Sequence, residues 1–118
     1  MLKVIKPDFL FTDERGALVQ LIHKGYKQVN VITTKKGAFR GGHYHKENKE
    51  AFYVISGKLE VVVEERKFSF CVGDFFSIDA NDMHSFKFLE DTTLVSMYSK
   101  GVELENGKKD IYTGDCEC

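Results

Sequence analysis

Short apolar-alternating runs, separated at regular intervals by turn residues, leave this chain room for strands and almost none for helices. Leu2 to Lys6 alternates as an edge strand would and is broken by Pro7-Asp8. Ala17 to Ile22 reads as a strand after the turn Asp13-Glu14-Arg15-Gly16, and Gln28 to Thr33 alternates as far as Lys35-Lys36-Gly37. Ala51 to Ser56 is joined by Gly57-Lys58 to Leu59 to Val63. Phe68 to Cys71, Phe75 to Ile78, His84 to Leu89 and Thr92 to Tyr98 follow, each set off by Gly, Asp or Asn. Short strands at roughly ten-residue spacing predict an all-β sandwich or barrel.

The length of 118 residues predicts one domain, with a strand core over about 17–99 and a polar tail of irregular structure over 100–118. Charges are many but mixed, and the net of -1 leaves no basic footprint for nucleic acid or an anionic membrane. No apolar run has the length of a membrane span or the look of a secretion signal, so the expected location is the cytoplasm. Of the three cysteines, Cys71 reads as a small buried apolar residue, while Cys116 and Cys118 sit in the polar tail and receive no function.

The chemistry is concentrated in Gly41-Gly42-His43-Tyr44-His45, followed after a polar turn by Glu50. In an extended strand, residues i and i+2 share a face, so His43 and His45 aim two imidazoles at one point. A strand opening at Glu50 brings a carboxylate back beside them, and His84 offers a third ring from a later strand. Two or three imidazoles with one carboxylate suit a divalent transition metal such as Zn, Fe, Ni or Mn. Parity extends the reading: Phe52 and Val54 share the face of Glu50, and Phe86 and Phe88 that of His84. Polar ligands then occupy one end of an apolar barrel, with aromatics such as Phe68, Phe70, Phe75 and Phe76 filling its core. Tyr44 and Tyr53 have the opposite parity and are expected to pack elsewhere. Lys46, Glu47 and Lys49 read as a solvated turn.

These residues resemble the cupin family. His43-x-His45-x4-Glu50-x6-Gly57 matches the spacing of its first motif, and Gly73 to His84 is similar to its second. The second motif departs in having Asp79 for the usual proline, Asn81 for the turn glycine and Phe88 for the closing asparagine. The resemblance implies a cupin jelly-roll barrel, also called a double-stranded β-helix, and a homodimer. An exposed edge such as Leu2 to Lys6 is where exchange with a second subunit would occur.

A narrower resemblance is to cupins of nucleotide-sugar and polysaccharide biosynthesis. Gln28-Val29-Asn30, Arg40-Gly41-Gly42-His43-Tyr44 and Asp13-Glu14-Arg15-Gly16 look like strings of dTDP-4-dehydrorhamnose 3,5-epimerases, dTDP-sugar 3,4-ketoisomerases and capsular-polysaccharide cupin domains. It implies His43 as a catalytic base and Arg40 as a neighbour of a nucleotide diphosphate. His45 stands where the ketoisomerases have a second histidine. The epimerases' tyrosine acid has no counterpart in Ser99 to Glu103, which argues against double epimerisation.

Three functions stay open on the sequence. A metal at His43, His45, Glu50 and His84 would polarise a carbonyl for isomerase chemistry on a keto-sugar, with oxygen chemistry open to it if the metal is iron. A metal-free ketoisomerase would use His43 and His45 as acid and base on a sugar nucleotide. A non-catalytic barrel would enclose a small polar ligand.

Overall fold

The computed structural model of the protein describes residues 1–113; Cys116 and Cys118 lie outside them. Twelve strands and no helix occur among the described residues, and so none that is long and apolar enough to cross a membrane. In chain order they are β1 (Leu2–Val4), β2 (Phe9–Asp13), β3 (Gly16–Gln20), β4 (Gln28–Thr34), β5 (Phe39–Tyr44) and β6 (Glu50–Ser56). Then come β7 (Lys58–Val63), β8 (Arg66–Cys71), β9 (Phe75–Ile78), β10 (His84–Phe88), β11 (Thr92–Tyr98) and β12 (Tyr112–Thr113). Two antiparallel five-stranded sheets, ordered β1-β9-β6-β11-β4 and β12-β5-β10-β7-β8, form a jelly roll; β2 and β3 make a separate ribbon.

One core lies between the sheets. Phe52 and Val54 of β6, Phe76 and Ile78 of β9 and Leu94 of β11 meet Leu59, Val61 and Val63 of β7, Phe70 of β8, and Phe86 and Phe88 of β10. Phe76 stacks on Phe70 at 4.1 Å and on Phe52 at 5.2 Å between ring centroids. Side chains of this size each contribute about 1.5–3 kcal/mol on leaving water. The first sheet also buries its outer face: Ala51, Phe75 and Met97 are covered by Ile5, Leu21, Ile22 and Tyr26. Tyr53 packs there, edge-on to Phe75.

Gly57 shows why a glycine joins β6 to β7. Its φ is +96°, and a Cβ there would lie 2.3 Å from Thr92 Oγ1 and 2.4 Å from the Asp91 carbonyl. No other residue fits that approach.

Three features differ from expectation and one agrees with it. Cys71 is exposed, because strand alternation turns Phe70 inward and its neighbour out. Phe9–Asp13, to which the sequence assigns no element, pairs with β3 in a ribbon whose apolar side chains are largely exposed. Leu2–Val4 is an edge strand, as expected, and pairs with β9. The tail is largely irregular, yet it returns to the barrel: β12 pairs with β5, and Asp110 is fully buried.

Candidate metal centre

The site is built where the two sheets meet at one end of the core. On one sheet, His43 near the end of β5 stands opposite His84 at the start of β10, and His45 follows just beyond β5. The pairing shifts register between His84 and Ser85. Gly41 permits this: a Cβ at its φ of +103° would lie 2.8 Å from both the His84 carbonyl and Ser85 Cα. On the other sheet, Glu50 opens β6 and faces Tyr98 at the end of β11. The β9–β10 loop is tied in as well, since the Asn81 amide donates to the His45 carbonyl at 2.6 Å.

The four side chains singled out from the sequence as ligands converge. One ligand atom from each of His43, His45, Glu50 and His84 lies within 4.8 Å of all the others. Glu50 Oε1 is 2.9 Å from His45 Nε2 and 3.1 Å from His84 Nε2. The His43 ring is 4.9 Å from that of His45 and 4.7 Å from that of His84. His45, Glu50 and His84 are buried, while His43 is half-buried.

Backbone carbonyls fix two of the rings. His45 Nδ1 is 2.6 Å from the Asp110 carbonyl, and His84 Nδ1 is 3.0 Å from that of Asp82. A carbonyl only accepts, so each Nδ1 carries the proton and donates it. Each Nε2 is thereby turned toward the cluster. That second contact is how a ligating histidine is normally oriented.

The donor set fits a cation. His45 Nε2 and Glu50 Oε1 are buried and lie 2.9 Å apart, with no other hydrogen-bond partner for either. A neutral His45 protonated on Nδ1 sets lone pair against lone pair there, a costly arrangement in a buried site. Either an added proton on Nε2 or a metal ion among the four groups removes the conflict.

The electrostatics follow the same geometry. Burial works against protonation of His45, but the Glu50 carboxylate and then Asp110 outweigh it and raise the pKa. Burial likewise opposes ionisation of Glu50, yet His45 and His84 hold it below the ordinary carboxylate range. His43 is lowered to about 4, first by burial and then by the charges of His84 and His45. The Tyr98 hydroxyl is pushed up by burial and by the Glu50 carboxylate, so it stays protonated.

A cavity of about 380 Å³ opens on the cluster, with His43, Glu50, His84 and Tyr98 among its lining residues and Ile32, Phe52, Phe86 and Leu94 as apolar wall. That is within the range of small-molecule sites. Arg40 also lines it. Its Nε donates to Thr34 Oγ1 at 2.8 Å and its Nη2 to the Thr33 carbonyl at 3.4 Å, which steadies an otherwise exposed guanidinium. Tyr44 faces away and stacks on Tyr112 at 5.6 Å.

Sequence reasoning missed Tyr98 as a lining group, and Asp110 and Asn48 as supports. Tyr98 was findable, since it shares a face with Ser96 and Leu94 at the end of a strand neighbouring Glu50. Asp110 carries no periodic signal at all.

The sequence matches the family described as "Cupin domain" over residues 30–99, so the chain belongs to the cupin family. Among solved structures it is similar to a sugar 3,4-ketoisomerase from Thermoanaerobacterium thermosaccharolyticum, crystallised with TDP. The TM-score is 0.76 at 17% identity, covering 97% of this chain and 88% of that one. A 3,4-ketoisomerase from Helicobacter canadensis is similar with TM-score 0.73 and 24% identity, over 90% of this chain and 87% of that one. A dTDP-4-dehydrorhamnose 3,5-epimerase from Sulfolobus tokodaii has TM-score 0.69 and 21% identity, over 82% of this chain and 69% of that one. At such identities the likeness is one of fold. No curated protein matches the sequence.

Proposed function

We propose that this cupin binds a divalent transition metal and isomerises a keto-sugar carried on a nucleotide. The observation that carries the reading is the convergence of three imidazoles and one carboxylate, two of their atoms unpartnered, on the wall of a cavity. The fold neighbours, which include sugar ketoisomerases, favour the same substrate class. His43, His45, Glu50 and His84 would hold the metal, which supplies a positive charge to polarise a substrate carbonyl. The chain's own groups do the rest. Ile32, Phe52, Phe86 and Leu94 keep water from the sugar ring. Arg40 keeps N–H groups free to meet a phosphate at the rim. The protonated Tyr98 hydroxyl is a donor for oxygen that becomes anionic as a proton leaves the neighbouring carbon.

A second reading, without metal, is favoured by His43. Its lowered pKa leaves it neutral at pH 7 and facing the cavity, able to take a proton from the carbon beside the carbonyl. His45, held by Asp110 and Glu50, is then the acid that returns one. The deciding experiment is elemental analysis of the purified protein together with turnover on a panel of keto-sugar nucleotides. Stoichiometric metal lost in His84→Ala, with activity lost on chelation, is the expected result. Activity that survives chelation supports the second reading. Ligand binding with no turnover on any member of the panel overturns both and leaves a binding protein.

The same reading includes a homodimer. The β2–β3 ribbon leaves Leu10 62% and Leu18 56% exposed, and the outer face of edge strand β4 leaves Val29 62% and Val31 67% exposed. An open edge with an apolar outer face, and an apolar ribbon packed into neither core, are each surfaces a second copy would cover. Light scattering should give a dimer, and Leu10→Asp with Leu18→Asp should give a monomer. A monomeric wild type at working concentration rejects it.

A further inference from the structure

We propose that Asp110 is a positioning residue: the returning strand segment 100–113 holds the His45 ring so that its Nε2 faces Glu50. Asp110 is fully buried, and its carbonyl and carboxylate are both spent on the turn that carries His45. Its carbonyl accepts from His45 Nδ1 at 2.6 Å. Its carboxylate accepts from the Lys46 amide at 2.9 Å, the Glu47 amide at 2.9 Å and Asn48 Nδ2 at 2.8 Å. Its own amide donates to the Val102 carbonyl at 2.7 Å.

Asn48 completes the clasp from the other side. It is buried, its Oδ1 accepts from the Lys100 and Gly101 amides at 2.9 Å each, and its Nδ2 also donates to the Gly101 carbonyl at 2.9 Å. Beyond Asp110, Tyr112 pairs with Tyr44 and Thr113 with His43. The segment therefore grips the chain at His43, at Tyr44, and through the turn after His45. A carboxylate that only braced the turn would leave the ring free to rotate. Here the same residue's carbonyl also selects the tautomer.

The affinity arm of the test rests on the metal reading; the tautomer arm does not. In the full-length, metal-free protein well above neutral pH, long-range nitrogen–proton NMR spectra report which ring nitrogen of His45 bears the proton. The wild type should carry it on Nδ1. Asp110→Ala keeps the carbonyl but frees it from the Lys46 and Glu47 amides and Asn48, so it should weaken that preference and bind Co²⁺ about 10-fold more weakly, the low end of what disturbing an outer-shell partner costs. Asp110→Asn keeps one acceptor oxygen and should fall between. Val54→Ala, in the core and away from the site, should lower stability while leaving tautomer and affinity as in the wild type.

A wild-type His45 protonated on Nε2 overturns the proposal, whatever the variants do. So does a folded Asp110→Ala with wild-type tautomer and affinity. Should Asp110→Ala not fold, Asp110→Asn is held to the same two readings. A wild type that takes up no Co²⁺ while holding the Nδ1 tautomer rejects the metal reading, and a weakening of that tautomer preference in Asp110→Ala then upholds this one by itself.

Discussion

Strands β6 and β10 each run from one kind of interior to another. β6 starts at Glu50 and continues through Phe52 to Val54; β10 starts at His84 and continues through Phe86 to Phe88. At the far end the side chains are aromatic and aliphatic, stacked at 4.1 Å in the case of Phe70 and Phe76. At the near end, within two residues, they are a carboxylate and imidazoles with unpartnered atoms. Both ends are equally buried, but only one contributes to stability on its own account. Unsatisfied buried polar atoms cost about 1–3 kcal/mol each, whereas a buried phenylalanine is favourable by a similar amount. The barrel is thus held from its apolar end, and the polar end is carried by it.

The contrast is broken most easily at Phe76. Phe76→Ala removes a fully buried ring that touches Phe70, Phe52 and Phe86, and should lower unfolding stability by about 3–5 kcal/mol in urea titrations. Cation binding by the protein that remains folded should be unchanged. If Phe76→Ala instead abolished binding at little cost in stability, the two ends would not be separable in this way.

At the polar end the expected effect is smaller and depends on the ligand. A cation present at a hundred times its dissociation constant stabilises the folded chain by about 2.7 kcal/mol. Thermal unfolding of wild type should therefore shift upward on adding metal and return on adding chelator. His84→Ala should remove the metal-dependent shift while changing metal-free stability much less than Phe76→Ala does. A metal-free His84→Ala as unstable as Phe76→Ala would show that the cluster carries structural weight the contrast denies it.

The same division explains what could be read from the sequence. Alternation with a fixed partner face is a strong signal, and it locates β6, β7, β10 and β11, whose inward-facing apolar residues meet in one core. β2 escapes it because Phe9-Leu10-Phe11 is a continuous apolar run packed into neither core, so no face is distinguished. Cys71 was misplaced because its neighbours Phe70 and Val72 suggest a buried run, when parity alternates through it. His43, His45 and Glu50 lie close in sequence on strand-like segments, so their meeting follows from i, i+2 geometry and one turn. Asp110 does not. It sits after the exposed Lys108 and Lys109, more than sixty residues from the ring it holds, and what fixes it is hydrogen bonding, which leaves no pattern in a polar stretch.

The finest test concerns His43, which stands between the two ends and is only half-buried. Its pKa falls from an ordinary 6.5 to about 4, by burial first and then by the neighbouring rings of His84 and His45. Because the folded chain holds the ring neutral, protons bind the unfolded chain more readily. The stability that His43 contributes is therefore complete above about 6.5 and is lost as pH falls from there towards 4. Ring proton resonances of the metal-free protein should titrate with a midpoint near 4, and His43→Gln should flatten the acid slope of unfolding in that window. In the metal-free reading of the function, kcat/KM should also hold its plateau down to the same midpoint, since the base stays unprotonated. A midpoint at the ordinary histidine value would mean that water reaches His43 freely. The polar end would then be an open mouth, and its buried, cation-hungry character would reduce to His45, Glu50 and His84 alone.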